Sequence, residues 1–383
     1  MKRFAVRASL AAALVVLAAC GGGSDAPIYI GVAGPVKAAN GRSMELAARL
    51  AVKEINAKGG INGRPLELVV MDDEANANKA MEVARTLRRD RRIVAVVGHV
   101  NSSASLKASE VYNAEGDSAG RPLLQISPAS SSPALTQAGP WTFRVTPTDL
   151  EFSPVLARWA AQQLGKRRAA VLYVNDDYGQ GVRQTFEQAF RRLGGSVVSA
   201  DPYLNPVLET GTELDPYIMR AIARGADALV IGGQADGGVK IIAAARRLGY
   251  TGPILGSDGM TGAKDSPVAE GLFVSSAFLP DRPNPRSQAF VTAYRRENNN
   301  ELPDHRGAMA YDVIYLLAQA LREAGTDRQA LRDYIASIGM EGGRPRFEEA
   351  VSGTIAFNAD GDVVGKEVAV GVVRNRQLVT AGR

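Results

Sequence analysis

Two short hydroxyl-rich loops are the first chemistry this chain offers. They read Asn101-Ser102-Ser103 and Ser127-Pro128-Ala129-Ser130-Ser131-Ser132. Each follows an apolar β-type run, Ile93-Val94-Ala95-Val96-Val97 and Pro122-Leu123-Leu124-Gln125-Ile126. Loops at the carboxyl ends of parallel strands are where α/β sheets hold their ligands. Serine hydroxyls and free backbone N–H groups placed there suit a small carboxylate. Serines that only cap helices would look the same, so the two loops by themselves leave both readings open.

Catalysis would require more. A serine becomes a nucleophile only beside a base, and the chain has two histidines, His99 and His305, and a single cysteine, Cys20. Neither histidine belongs to a metalloprotease pattern, and no phosphate-binding glycine motif is present. His99 directly follows a strand-like run and reads as structural; His305 lies in a polar loop and has no assigned role. Asp360-Gly361-Asp362 lacks the spaced ligands of a calcium loop and reads as a turn between two strands. The chain is therefore expected to be no enzyme and to use no metal and no cofactor.

The elements that must position the loops alternate regularly. A β-type run over 28–33 is followed by an amphipathic helix with Leu46, Ala47, Leu50, Ala51 and Ile55 on one face. The turn Gly59-Gly60-Ile61-Asn62-Gly63, a strand over 65–71, a helix over 78–89 and the strand before the first serine loop come next. Around Trp141-Thr142-Phe143-Arg144 the chain runs extended, and Pro147 opens a new unit. The same rhythm then repeats. Its strands end in polar loops: Asn175-Asp176-Asp177-Tyr178-Gly179, Gly232-Gly233-Gln234 and Gly256-Ser257-Asp258-Gly259. The pattern predicts an α/β protein with two doubly wound parallel-sheet lobes joined by a multi-strand hinge. The expected boundaries are residues 28–145 plus 278–346 for the first lobe and 146–277 plus 347–383 for the second. Terminal strands are expected over 347–357 and 363–373. A chain of 383 residues is too long for one core.

The amino terminus reads as an export signal. Lys2, Arg3 and Arg7 precede a short uncharged apolar run that ends in Leu17-Ala18-Ala19-Cys20. That ending resembles a bacterial lipobox, which implies that residues 1–20 form a lipoprotein signal cleaved before Cys20, that Cys20 is lipidated and that a flexible tether follows over 21–27. The formal charge of +5 includes the three basic residues of the signal. Arg88-Arg89-Asp90-Arg91-Arg92 and Lys166-Arg167-Arg168 fall where helix patterns give way to strands and read as solvated helix ends, so no nucleic-acid partner is expected.

Several collinear motifs carry a resemblance. They are Ile30-Gly31-Val32-Ala33-Gly34-Pro35, the stretch AVKEINAKGGINGRP beginning at Ala51, Met71-Asp72-Asp73, Val97-Gly98-His99, the two serine loops, Phe143-Arg144, Asn175-Asp176-Asp177-Tyr178-Gly179-Gln180-Gly181 and Gly256-Ser257-Asp258-Gly259. Together they cover roughly residues 28–320 and resemble the branched-chain amino acid binding proteins of ABC importers, the type I periplasmic binding proteins. The resemblance implies that Ser102 and the Ala129-Ser130-Ser131 loop hold a ligand's α-carboxylate and ammonium. It further implies that Tyr178 closes over the ligand from the second lobe and that Asp258 pairs with the ammonium. Two positions depart from the family. The early loop around Asn40 is small and polar where an aromatic is frequent, and Gln234 stands where tyrosine is frequent, so a more polar ligand than leucine is expected. The implied protein is a monomeric, lipid-anchored receptor in the periplasm or at the cell surface that hands an amino acid or a similar small polar solute to an ABC permease. A sensor acting through a membrane signalling partner would have the same pocket, whereas an amide hydrolase on this scaffold would lack a nucleophile.

Overall fold

The computed structural model describes residues 26–116 and 121–382. The expected signal, most of the tether and Cys20 lie outside the described residues.

The first lobe is built on five parallel strands: β1 (Ile28–Gly34), β2 (Leu66–Asp72), β3 (Ile93–Gly98), β4 (Leu124–Ser127) and β5 (Thr142–Arg144). Their order in the sheet is β2-β1-β3-β4-β5. Every residue of β3 is buried, as its unbroken apolar run requires when helices cover both faces of a parallel sheet. The covering helices are α1 (Ala39–Ala57), α2 (Ala77–Arg89) and α3 (Ser102–Tyr112). In α2, Ala80, Val83, Ala84 and Leu87 form the buried stripe, and the Asn76 side chain caps the first turn by accepting from the N–H groups of Asn78 and Lys79.

The second lobe carries β6 (Arg168–Val174), β7 (Ser196–Tyr203), β8 (Ala228–Gly232), β9 (Ile254–Gly256) and β10 (Phe273–Ser276), parallel throughout. Two terminal strands, β11 (Ala369–Arg374) and β12 (Gln377–Thr380), extend it antiparallel beyond β10, giving the order β12-β11-β10-β9-β8-β6-β7. Its helices are α4 (Asp149–Arg158), α5 (Asp177–Arg192), α6 (Asp215–Ala223) and α7 (Ala235–Arg247). The chain then returns to the first lobe with α8 (Pro285–Glu297), α9 (His305–Ala324) and α10 (Arg328–Ala336). Along α9, Met309, Val313, Ile314, Leu317 and Leu321 are fully buried and pack with Ile30, Val32 and Ala51 of β1 and α1.

The carboxyl-terminal boundary differs from expectation. Phe347, Ile355, Phe357 and Val363 belong to the first lobe's core, and Phe357 packs edge-on against Phe143 with ring centres 5.2 Å apart. Residues 347–363 make only isolated bridges, Phe347 with Ile355, Phe357 with Val363 and Arg144 with Asp362. The expected terminal strands reduce to β11 and β12, and the chain joins the second sheet only at Ala369. The large apolar side chains of this segment decide its place, because the first core offers them a closed, dry surface.

Arg144 ties that return segment to the serine loop. It is fully buried; its Nε donates to Asp362 Oδ1 (2.5 Å), Nη1 to the carbonyls of Ser130 (3.0 Å) and Ser132 (2.7 Å), and Nη2 to Thr136 Oγ1 (3.2 Å). Removing this cation would leave the buried Ser130 carbonyl without a donor and the Asp362 carboxylate without its cation. Arg144→Ala is expected to lower stability by roughly 3 kcal/mol and to weaken ligand binding with it, read by urea unfolding and by titration.

Candidate functional site

The first serine loop hangs on His99, whose ring is fully buried between Asp73 (Nδ1 to Oδ2, 2.7 Å) and the Tyr112 hydroxyl (Nε2 to Oη, 3.2 Å). His99 is structural, as its position suggested. Its carbonyl accepts from Ser127 Oγ (2.8 Å), and the Val100 carbonyl accepts from Ser130 Oγ (3.0 Å). The two loops are thus stitched together. Gly98, at a φ of +139°, permits the join: a Cβ there would lie 2.1 Å from the Ala33 carbonyl oxygen.

The stitching sorts the serines. Ser130 turns inward to Val100 and Ser105, so its hydroxyl serves the scaffold. Ser102, the first residue of α3, accepts from the Ser132 N–H (3.3 Å), which leaves its own proton free to donate. Ser131 Oγ is buried and has no well-shaped hydrogen bond among the described residues. Ala129 is buried beside it. The carbonyls of Ser130, Ser131 and Ser132 are already engaged, by Arg144, the Asp149 N–H (2.9 Å) and Arg144 respectively.

Asp149 is the residue that the motifs alone did not single out. It begins α4, where the chain enters the second lobe, and Thr148 and Glu151 fix the turn: the Thr148 N–H donates to Glu151 Oε2 (2.8 Å). Its carboxyl is fully buried and neither oxygen has a well-shaped hydrogen bond among the described residues. Burial pushes this carboxyl up to about 8 and nearby Asp258 adds to the push. The adjacent Ser131 hydroxyl pulls it down without forming a well-shaped hydrogen bond, and Arg144 also pulls it down. Gly181 makes room for it, since a Cβ there would sit 2.4 Å from Asp149 Oδ2.

Tyr178 and Asp258 complete the wall from the second lobe. Tyr178, at the start of α5, accepts from the Gly259 N–H (2.8 Å), bonds Ser257 Oγ and donates to Asp258 Oδ1 (2.9 Å). Burial raises the Asp258 carboxyl to about 6, against the pull of Arg306 and the Tyr178 hydroxyl. Both carboxyls therefore want a cation beside them. Gln234 N-caps α7, and its Oε1 accepts from Arg306 Nη2 (3.1 Å), so it serves an interlobe contact. Asn40, second residue of α1, is half-buried and makes no hydrogen bond among the described residues; its helix abuts the segment Asp258–Asp265.

The lobes touch at both ends of this wall. Ser103 Oγ donates to Asp177 Oδ2 (2.5 Å) at one end. At the other, Arg306 of the first lobe donates to Thr261 Oγ1 (3.2 Å) and to the Gly259 carbonyl (3.3 Å) of the second. Ser131, Asp149, Tyr178 and Asp258 thus come together where the lobes meet, with Ser102 in the adjoining loop, hydroxyls on the first lobe and two carboxyls on the second. No group of acidic, histidine or cysteine side chains that could hold a metal occurs among the described residues.

A family model described as periplasmic binding protein matches residues 27–377. The chain belongs to the periplasmic binding protein family. It is a solute-binding protein and not an enzyme. An amino acid binding protein of Pseudomonas aeruginosa is 29% identical over 80% of this chain and 81% of its own length. The leucine-specific-binding protein of Salmonella typhimurium is 26% identical, with 94% and 95% covered. Among solved structures, an ABC transporter substrate-binding protein of Desulfitobacterium hafniense in complex with Leu is 33% identical with a TM-score of 0.75, covering 93% of this chain and all of the other (100%). The branched-chain amino acid transporter substrate-binding protein of Streptococcus pneumoniae in complex with isoleucine is 26% identical with a TM-score of 0.80, covering 92% and 97%. The expected two-lobed type I periplasmic binding fold is the observed one.

Proposed function

We propose that this protein captures an α-amino acid between its lobes and delivers it to an ABC permease. The observation that carries the reading is the pairing of opposite needs in one buried space. Ser102 and Ser131 offer hydroxyl donors to a carboxylate, while Asp149 and Asp258 are buried carboxyls whose ionised forms burial disfavours. A zwitterion satisfies both, and a buried charge needs such partners. The relatives named for amino acids and for leucine support the same ligand class. Closure follows from this chemistry. With ionised carboxylates the closed form without a ligand is costly, and the ligand ammonium offsets that cost, so solute capture and lobe closure are coupled. Titration of the ligand-stripped protein with a panel of amino acids tests the reading; binding by none of them would sink it.

The reading extends to the terminus. Cys20 is the lipid attachment site, cleavage before it removes residues 1–19, and the mature protein works as a tethered monomer beside its permease. Labelled fatty acid fed to cells is expected to appear in the wild-type protein and to be absent from Cys20→Ser; label in both would remove the anchor from the picture.

A further inference from the structure

The five strands of the first lobe run parallel, so all of them start at one end of it and finish at the serine loops and the cleft. The starting end is rich in arginine. The segments that lead into β1 to β4 carry Lys58, Arg64, Arg91, Arg92 and Arg121 against Asp90 and Glu115 among the described residues. Glu67 at the start of β2 is a third acid, and Arg89 closes α2 beside them. Asp90 is engaged by Arg92 (2.7 Å), and Arg121 by Asp327 (3.3 Å). Arg89 and Arg91 are exposed and make no ion pair or side-chain hydrogen bond among the described residues. Two buried arginines brace the frame beneath them. Arg88 Nη1 donates to the Val111 carbonyl (2.7 Å), and Arg328 donates through Nε to the Ile93 carbonyl (2.9 Å) and through Nη2 to that of Asp90 (2.8 Å). Between the ends of α2 and α3 lies a cavity of about 430 Å³ lined by Arg85, Arg88 and Arg89 with Glu110, which is itself paired with Lys107 (2.8 Å). Losing Lys2, Arg3 and Arg7 with the signal takes the formal charge from +5 to +2. The mature chain as a whole is thus close to neutral, and the excess of cations at this end is local.

The tether enters at the same end. Ala26 and Pro27 precede β1, and Arg64 Nε donates to the Ala26 carbonyl (2.8 Å). β3 lies beside β1, Tyr29 is level with Ile93, and the Arg92 guanidinium stands 4.8 Å over the Tyr29 ring. Six residue steps separate Cys20 from Ala26, and a fully extended chain of that length reaches about 20 Å. A lipid on Cys20 therefore keeps this end of the lobe near the headgroups. The arginines can then come within the roughly 8 Å over which physiological salt leaves charges unscreened.

We infer that the arginine-rich end of the first lobe lies on the membrane and takes the phosphates of anionic lipid headgroups. The inference rests on the lipid-anchor reading of Cys20 and adds the surface that meets the bilayer. A guanidinium matches phosphate oxygens with a fixed fork of donors, and a lipid chain combined with a basic patch anchors more firmly than the chain alone. The cleft, at the finishing ends of the same strands, stays clear of the headgroups and open to solute.

The mature chain carrying Cys20→Ser, and so no lipid, isolates the part played by charge. It should be sedimented with vesicles of phosphatidylcholine alone and of phosphatidylcholine with about 30% phosphatidylglycerol, at about 0.02 M and about 0.5 M salt. Binding to the anionic vesicles is expected to be at least about 10-fold stronger at low salt and to be lost at high salt. Each cation at a membrane surface contributes about 5-fold, so Arg89→Ala with Arg91→Ala should weaken that binding by about 25-fold. Both side chains are exposed, so thermal unfolding and amino acid binding should not change. Arg191→Ala with Arg192→Ala removes two cations from the end of α5 in the second lobe and should change vesicle binding by about 2-fold at most. No preference for the anionic vesicles, or equal losses in the two double variants, would overturn the inference and leave the anchor standing. Fatty-acid label that persists in Cys20→Ser would instead remove the anchor, and this inference with it.

Discussion

Asp149→Asn and Asp258→Asn are each expected to weaken amino acid binding by about 100-fold while leaving the ligand-free protein at least as stable as the wild type. The loss follows from removing one partner of a desolvated charge pair, which costs about 2–5 kcal/mol. The gain in the ligand-free state follows from the raised carboxyls, at about 8 for Asp149 and about 6 for Asp258. Each represents an acid that resists ionising where it sits, and a neutral amide of the same shape removes that resistance. Titration gives the first effect and thermal unfolding without ligand gives the second. A variant that binds like the wild type would place the ammonium elsewhere. A variant that loses binding only because it unfolds would show the carboxyl to be structural. For Asp149 the lack of a well-shaped hydrogen bond among the described residues argues against a structural part.

The second large effect is on pH. A carboxyl whose folded value lies above its unfolded value of 3.8 favours folding when protonated. That contribution is complete below the unfolded value and is lost as pH rises through the folded one. For Asp258 the loss is finished near pH 6, and for Asp149 near pH 8. His305 acts in the opposite sense. Its depressed value means that stability falls as pH drops from its ordinary 6.5 toward 3. Between about pH 6.5 and 8 Asp149 is the carboxyl that titrates, so the ligand-free protein is expected to lose roughly 2 kcal/mol across that window. The buried Lys366, lowered to about 8, begins to matter only above it. A ligand ammonium takes the place of the Asp149 proton. Binding near pH 7 should therefore release close to one proton, and affinity should rise nearly 10-fold per pH unit up to pH 8. Calorimetry in buffers of different ionisation enthalpy measures the release directly. Asp149→Asn should abolish it, and an unchanged release in that variant would assign the proton to another group.

The periodicities in the chain were enough for the lobes. Strictly apolar runs such as Ile93-Val94-Ala95-Val96-Val97 become buried strands, and the stripe of α2 faces the core, because burial of those side chains has only one geometric solution in each element. The carboxyl-terminal boundary was not legible. Residues 347–357 read as a terminal strand, yet Phe347 and Phe357 find their apolar partners in the first lobe, and that contact joins residues far apart in sequence. Among site residues, Tyr178 and Asp258 were marked by their motifs and meet through a hydrogen bond of 2.9 Å. Ser130, in the same loop as Ser131, points into the scaffold instead.

By itself the sequence determined the two-lobed α/β architecture, the serine loops at strand ends and the want of catalytic groups, because each follows from local patterns of residue type. The tertiary structure decided the rest. It separated the hydroxyl of Ser131, left unpaired, from that of Ser130, spent on Val100. It buried Asp149 near Asp258 and set His305, a residue with no local signature, 3.7 Å from the Asp258 carboxyl. Those outcomes depend on which groups find partners across the lobes. Hydrogen-bond satisfaction between distant segments is a property of the packed molecule, which no spacing along the chain can express.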